Sequence, residues 1–184
     1  MRGVSALLPW RFEGERRPKG EACFAQELPS QLKDLFSQRP LNTYPHLLDR
    51  SYSAAHILFN SGAFEFAPLI NSRLRTVAKL DIIFLRPEEP GSIVSKGGDI
   101  DNRLKTLFDA LKMPRESNDL PVGAIPDPSE CPFFCLLEDD NLITEISVRT
   151  DRLLHPVASR AEVVLIIHVK TSVTVVGPVN MVFA

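Results

Sequence analysis

Thr-Val-Ala-Lys-Leu-Asp-Ile-Ile-Phe-Leu-Arg at 76–86 and Gly-Gly-Asp-Ile-Asp-Asn-Arg-Leu-Lys-Thr-Leu-Phe-Asp-Ala-Leu at 97–111 decide how this chain folds. In the first stretch Ala78, Leu80, Ile82 and Phe84 fall on one side of an extended chain, and Val77, Ile83 and Leu85 on the other, because strand side chains alternate. Apolar residues on both sides predict a central strand covered on each face. In the second stretch Leu104, Leu107, Phe108 and Leu111 recur at the spacing of an amphipathic helix. Asp101 or Asn102 suits the N-cap of that helix, and Pro114 ends it. The turn-rich connection between the two closes on Gly97-Gly98, where the backbone bends freely.

The remaining elements read outward from this pair. Leu142, Thr144, Ile146 and Val148 share one face of a strand at 142–148, and the β-branched run at 162–170 predicts a buried strand. On the N-terminal side, 4–10 reads as a short first strand, 11–27 as irregular and 31–37 as a short helix, with 47–59 partly helical. Residues 172–176 read as a last strand or an arm. This order predicts an α/β (α+β) fold: one domain over 1–184 with helices packed on a mixed β-sheet. Residues 76–150 form its motif core and 1–75 an extended N-terminal part. Residues 115–135, rich in Pro, Asp and Ser, read as a loop insertion. Phe133 and Phe134 beside Pro132 read as core rather than as a wedge for unstacking bases.

With 44% hydrophobic and 24% charged residues over 184 positions, the composition is that of a globular domain and excludes a disordered chain. No apolar run approaches the roughly 18 residues that span a bilayer, and 1–10 lacks the pattern of a signal peptide. A cytoplasmic protein without membrane contact is therefore expected. Three cysteines, an odd count, argue against a disulfide framework, and Cys131 and Cys135 lack the companions of a zinc site. The net charge is −2, yet residues 81–150 hold 7 Lys and Arg against 14 Asp and Glu. A divalent cation would offset part of that local field.

The acids in this region are patterned. Asp99 and Asp101 are two apart, so in an extended segment they share a face. Asp139 and Asp140 precede the strand at 142–148. If the two strands are neighbours, the two pairs converge. Converging carboxylates raise one another's pKa unless a cation lies between them, and hard oxygen donors suit Mg²⁺ or Mn²⁺. Lys105 follows Asp101 by one helical turn, where its ammonium can hold a phosphate or offset charge on a pentavalent phosphorus. Read separately, Asp101 could simply cap a helix and Asp139-Asp140 open a turn.

Taken together, Asp99-Ile100-Asp101-Asn102, Lys105, Asp109-Ala110-Leu111 and Asp139-Asp140 resemble the core pattern of the RusA-like Holliday-junction resolvases. Leu-Pro-Trp at 8–10 is similar to the end of that family's first strand. The resemblance covers residues 76–150. It implies a homodimeric α/β endodeoxyribonuclease that uses Mg²⁺ to nick branched DNA. Asp99, Asp101 and Asp140 would then be metal ligands and Lys105 the catalytic cation. Asp139, Asn102 and Glu145 are accessory candidates, and Lys96 and Arg103 candidate contacts to DNA phosphates. Two other readings stay open. One is a metal-dependent nucleotidyl or glycosyl transferase using Asp99-Ile100-Asp101. The other is a non-catalytic DNA-binding relative.

Overall fold

A computed structural model describes residues 5–13, 27–52, 55–87, 100–116, 119–120, 123–155 and 162–184. They form seven strands and two α-helices: β1 Ser5–Glu13, α1 Glu27–Ser37, β2 Phe59–Ser61, β3 Phe64–Ile70, β4 Thr76–Arg86, α2 Ile100–Leu111, β5 Phe133–Leu137, β6 Ile143–Arg152 and β7 Glu162–Val173. The α/β class expected from the sequence is the class observed. The strands, however, divide between two mixed sheets rather than one.

The larger sheet has four strands in the order β1-β7-β4-β6. β7 lies antiparallel to both β1 and β4, while β6 runs parallel to β4. The smaller has three, β2-β3-β5, with β2 and β3 a hairpin and β5 parallel to β3. β4 is central, as its sequence requires. Its Ala78, Leu80, Ile82 and Phe84 are buried, joined on β7 by Val163, Leu165, Ile167 and Val169. The opposite face departs from the expectation of full cover. Lys79 is exposed there, with Asp81, Ile83 and Leu85 only half-buried. Lys79 pairs with Glu145 at 2.6 Å and Asp81 with Arg149 at 2.9 Å, both across the β4–β6 register. Charged pairs of this kind keep a face in water.

Leu28, Leu32 and Phe36 of α1, Leu107 and Leu111 of α2, and Leu69, Phe134 and Leu136 of the smaller sheet join one core with the inner face of the larger sheet. Phe66, Met113, Leu120, Phe133 and Cys135 make a second cluster. Phe133 and Phe134 therefore alternate between two cores, Phe134 beside Phe36 and Phe133 beside Phe66. β5 begins inside 115–135, so that stretch is not all loop: its end is a strand buried at every position. The described residues of 47–59 are not helical beyond the short 3-10 turn Pro45–Leu48. Both β1 and β7 outrun their expected lengths: Arg11, Phe12 and Glu13 still pair with β7, and β7 continues to Val173. No separate strand follows at 174–176.

The two sheets are joined by a pair of adjacent corners. At 71–75 the chain passes from β3 into β4, and at 138–142 from β5 into β6. The parallel pairs β3–β5 and β4–β6 place these corners side by side. The second corner carries the Asp139-Asp140 pair.

Candidate metal centre

Asp101 and Asn102 stand in the first turn of α2, which already includes Ile100. Asp101 is thus inside the helix rather than capping it, where a carboxylate meets the positive end of the helix dipole. Asp101, Asn102 and Lys105 are all exposed, whereas Arg103 is half-buried. Thr106 returns a hydroxyl hydrogen bond to the Asn102 carbonyl at 2.9 Å. Asp99, Lys96 and the two glycines, Gly97 and Gly98, lie outside the described residues.

The acidic corner is built residue by residue. Glu138 donates its backbone N–H to the Ile70 carbonyl at 2.9 Å, extending the β3–β5 ladder by one bond. Its carboxylate accepts from the Ser72 backbone N–H at 2.6 Å and from the Ser72 hydroxyl at 3.0 Å, tying the two corners together. Asp139 caps the 3-10 turn Asp140–Leu142 by accepting from the Asn141 N–H at 2.9 Å. It also forms an ion pair with Arg115. Opening a turn, the plain reading of Asp139, is what it does. Asp140 leads into β6 with its side chain 43% exposed, so it remains open to solvent and to a partner.

That partner is Lys112. Its Nζ lies 2.7 Å from Asp109 Oδ1 and 3.1 Å from Asp140 Oδ2. Hydrogen bonding to Asp109 raises the Lys112 pKa, with Asp140 adding to it and partial burial opposing it. The backbone around Lys112 is held as well. Residue 112 makes a parallel bridge with Leu137, and Met113 N–H donates to the Leu137 carbonyl at 2.8 Å. The end of α2 is thereby fixed against the end of β5.

Two carboxylates do meet across the motif, with a cation between them, but they are Asp109 and Asp140, and the cation is an ammonium. Asp101 sits eight residues before Asp109, or about 12 Å along the helix axis. Asp140 thus joins α2 at its C-terminal end and Asp101 stands at the N-terminal end. Among the described residues no three of His, Cys, Asp and Glu are grouped to hold a metal ion. The donor chemistry suits Mg²⁺ or Mn²⁺, since only carboxylate oxygens are on offer. A complete three-acid set is not assembled among the described residues. Glu145 faces away from this cluster in function: its carboxylate is taken by Lys79, which holds its pKa below the usual range.

Lys112, Arg115 and Glu138 are the residues that sequence reasoning missed. Lys112 follows Asp109 by three, a spacing that pairs side chains on a helix. Nothing in the linear order points to its second contact, with Asp140. No described helix is long and apolar enough to cross a membrane. Comparison with protein families, curated proteins and solved structures finds no match to this chain.

Proposed function

We propose that this protein is a divalent-metal-dependent, structure-selective endonuclease acting on branched DNA. The observation that supports the reading is that Asp140, at the head of β6, meets the C-terminal end of the same helix whose first turns carry Asp101 and Lys105. The packing of α2 rests on Leu107 and Leu111, with Leu104 and Phe108 partly buried beside them, and not on the exposed Asp101.

Asp99 and Asp101 at the start of α2, or Asp140 at its far end, would hold Mg²⁺ or Mn²⁺, which supplies a bound water of lowered pKa for attack on a phosphodiester. Lys105, exposed one turn into α2, offsets charge on the phosphoryl oxygens. Lys96 and Arg103 contact the DNA backbone and fix its register. The protein acts in the cytoplasm as a homodimer, so that two such sites face one branch point.

The test is cleavage of a synthetic four-way junction with Mg²⁺ or Mn²⁺. Asp101→Asn and Asp140→Asn lose roughly 100-fold or more in rate, about 2.7 kcal/mol of barrier, while binding to the junction survives. Intact junctions with folded wild-type protein and either metal would refute the reading. Metal-dependent nucleotide binding without cleavage would point to a transferase, and binding to the junction that ignores EDTA to a DNA-binding relative.

A further inference from the structure

We propose that the open edge of β6 is a self-complementary seam. On it a second copy of this chain pairs antiparallel about a two-fold axis through Ser147, joining the two larger sheets into one. Such a seam would supply the homodimer of the nuclease reading, yet nothing in it involves metal or DNA.

Thr144-Glu145-Ile146-Ser147-Val148-Arg149-Thr150 is symmetric in its chemistry about Ser147. Turned end over end, Glu145 meets Arg149 of the second copy, Ile146 meets Val148, and Thr144 meets Thr150, each twice, while Ser147 meets its own counterpart. The main chain of the open edge agrees with this register. As β6 leaves the β4 ladder, Leu153 donates its N–H to the Arg86 carbonyl at 2.6 Å. Main-chain groups alternate in direction along a strand, so Glu145, Ser147 and Arg149 turn theirs to β4, and Ile146, Val148 and Thr150 turn theirs to the open side. Ile146 and Val148 of the second copy then exchange both hydrogen bonds, and Ser147 falls in the non-bonded pair between them. Neighbouring registers fit worse. Moving the axis to Val148 sets Glu145 opposite Asp151, a like-charge pair that destabilises a sheet. Moving it to Ile146 sets Arg149 opposite the apolar Ile143.

Ile146 is a second, independent observation. It registers with Leu80, and Val148 with Ile82, both of them core residues. Ile146 itself is nonetheless 45% exposed, since no described strand lies beyond β6. Val148 of the second copy covers it. On the opposite face Lys79 already pairs with Glu145, and Asp81 with Arg149. Arg149 and Glu145 of the second copy extend these pairs into a row of alternating sign. A strand of unrelated sequence brings no such match. The register shift between β4 and β6 at Ala78 and Lys79 limits the ladder on the Thr144 side. The seam is therefore short, on the scale of contacts under roughly 1,200 Å², and its pairing depends on concentration.

The test is sedimentation velocity of the full-length protein, without metal or DNA, from about 1 to 300 μM. A reversible monomer–dimer equilibrium is expected in that range. Glu145→Arg and Arg149→Glu each set like charges opposite one another at two places and weaken the dimer about tenfold or more. Mixing the two variants restores opposite charges across the seam, so the mixture pairs where neither variant pairs with itself. Ser147→Cys alters an exposed residue on the two-fold axis. Opposed residues of a non-bonded antiparallel pair hold their Cα atoms about 4.5 Å apart, within disulfide reach. Mild oxidation should therefore link two copies at position 147, as located by mass spectrometry, and this variant decides the matter if a charge variant does not fold in thermal melting. A protein that stays monomeric throughout overturns the seam. So does a dimer that both charge variants leave intact, or charge variants that lose the dimer and do not rescue each other. Cleavage of branched DNA by a monomer would sink the seam and keep the nuclease. A dimer rescued by mixing that cleaves nothing would keep the seam alone.

Discussion

The two corners that join the sheets make the same turn with opposite chemistry. At 71–75 the corner carries Arg73 and Arg75 and is anchored by a buried amide. Asn71 is fully buried, its side-chain amide donating to the Pro68 carbonyl at 3.0 Å and its oxygen accepting from the Leu74 N–H at 2.9 Å. Its own N–H donates to Thr76 Oγ1 at 2.9 Å. Arg75 completes the turn at φ 52, in the left-handed region. At 138–142 the corner is acidic and half-open, and each acid takes a partner from another part of the chain: Ser72, Arg115 or Lys112. A buried, fully satisfied amide specifies geometry and exchanges with nothing. A partly exposed carboxylate held by a lysine exchanges partners at little energetic cost. The first corner sets where the second one stands.

This contrast predicts how substitutions divide between activity and stability. Asp140→Asn should abolish cleavage as described above while shifting the unfolding midpoint very little. Asn71→Ala should do the reverse, costing roughly 2–4 kcal/mol for two buried hydrogen bonds and the groups left unpaired. Urea unfolding and junction cleavage, measured on both variants, check the division. A large loss of stability in Asp140→Asn would break the comparison.

Glu138 links the corners, so its effect should fall between theirs. Glu138→Gln keeps the shape but removes the charge from the bonds to Ser72, and a loss of about 1–2 kcal/mol in urea is expected. Ser72→Ala in the same background should add little, because the two residues act as one contact. Full additivity in the double-mutant cycle would mean that the corners are not coupled through this bond.

The smallest effect concerns pH near the first corner. His56 has its pKa lowered by desolvation, with Arg73 and Arg50 adding to the shift. Arg73 Nη1 lies 2.9 Å from its Nδ1 and stacks over Phe59 at 4.2 Å. The unfolded chain therefore binds a proton more readily than the folded one. The contribution of neutral His56 is fully present above the ordinary histidine pKa and is lost as pH falls through the lowered folded value. Stability should decline modestly on that descent, and His56→Gln should flatten the slope in melting curves recorded across the range. An unchanged slope would remove His56 as its source.

Much of the larger sheet was legible because its signals are periodic and local. β4 alternates without interruption, β7 is a β-branched run, and α2 shows its stripe at Leu104, Leu107, Phe108 and Leu111. The smaller sheet was missed for equally physical reasons. Pro68 interrupts Phe64–Ile70, and a proline in a strand argues against one when only the sequence is read. Here it sits opposite Cys135 in the parallel pair, in a strand that the buried neighbours on both sides hold in place. Phe133–Leu137 follows a tract of Pro, Asp and Ser, so its fully apolar character was absorbed into a presumed loop. At the candidate site the acids were readable from their spacing, and the turn at Asp139 from its residue types. The grip of Lys112 on Asp140 was not, because it joins positions 28 apart through tertiary packing alone.

β6 closes one side of the larger sheet, with no further described strand beyond it. Its outward main-chain donors and acceptors form a template on which a stray extended segment could grow. Glu145, Arg149, Asp151 and Arg152 punctuate that rim with charges of both signs, and any newcomer would have to strip water from them. The rim therefore discourages indiscriminate stacking into fibres.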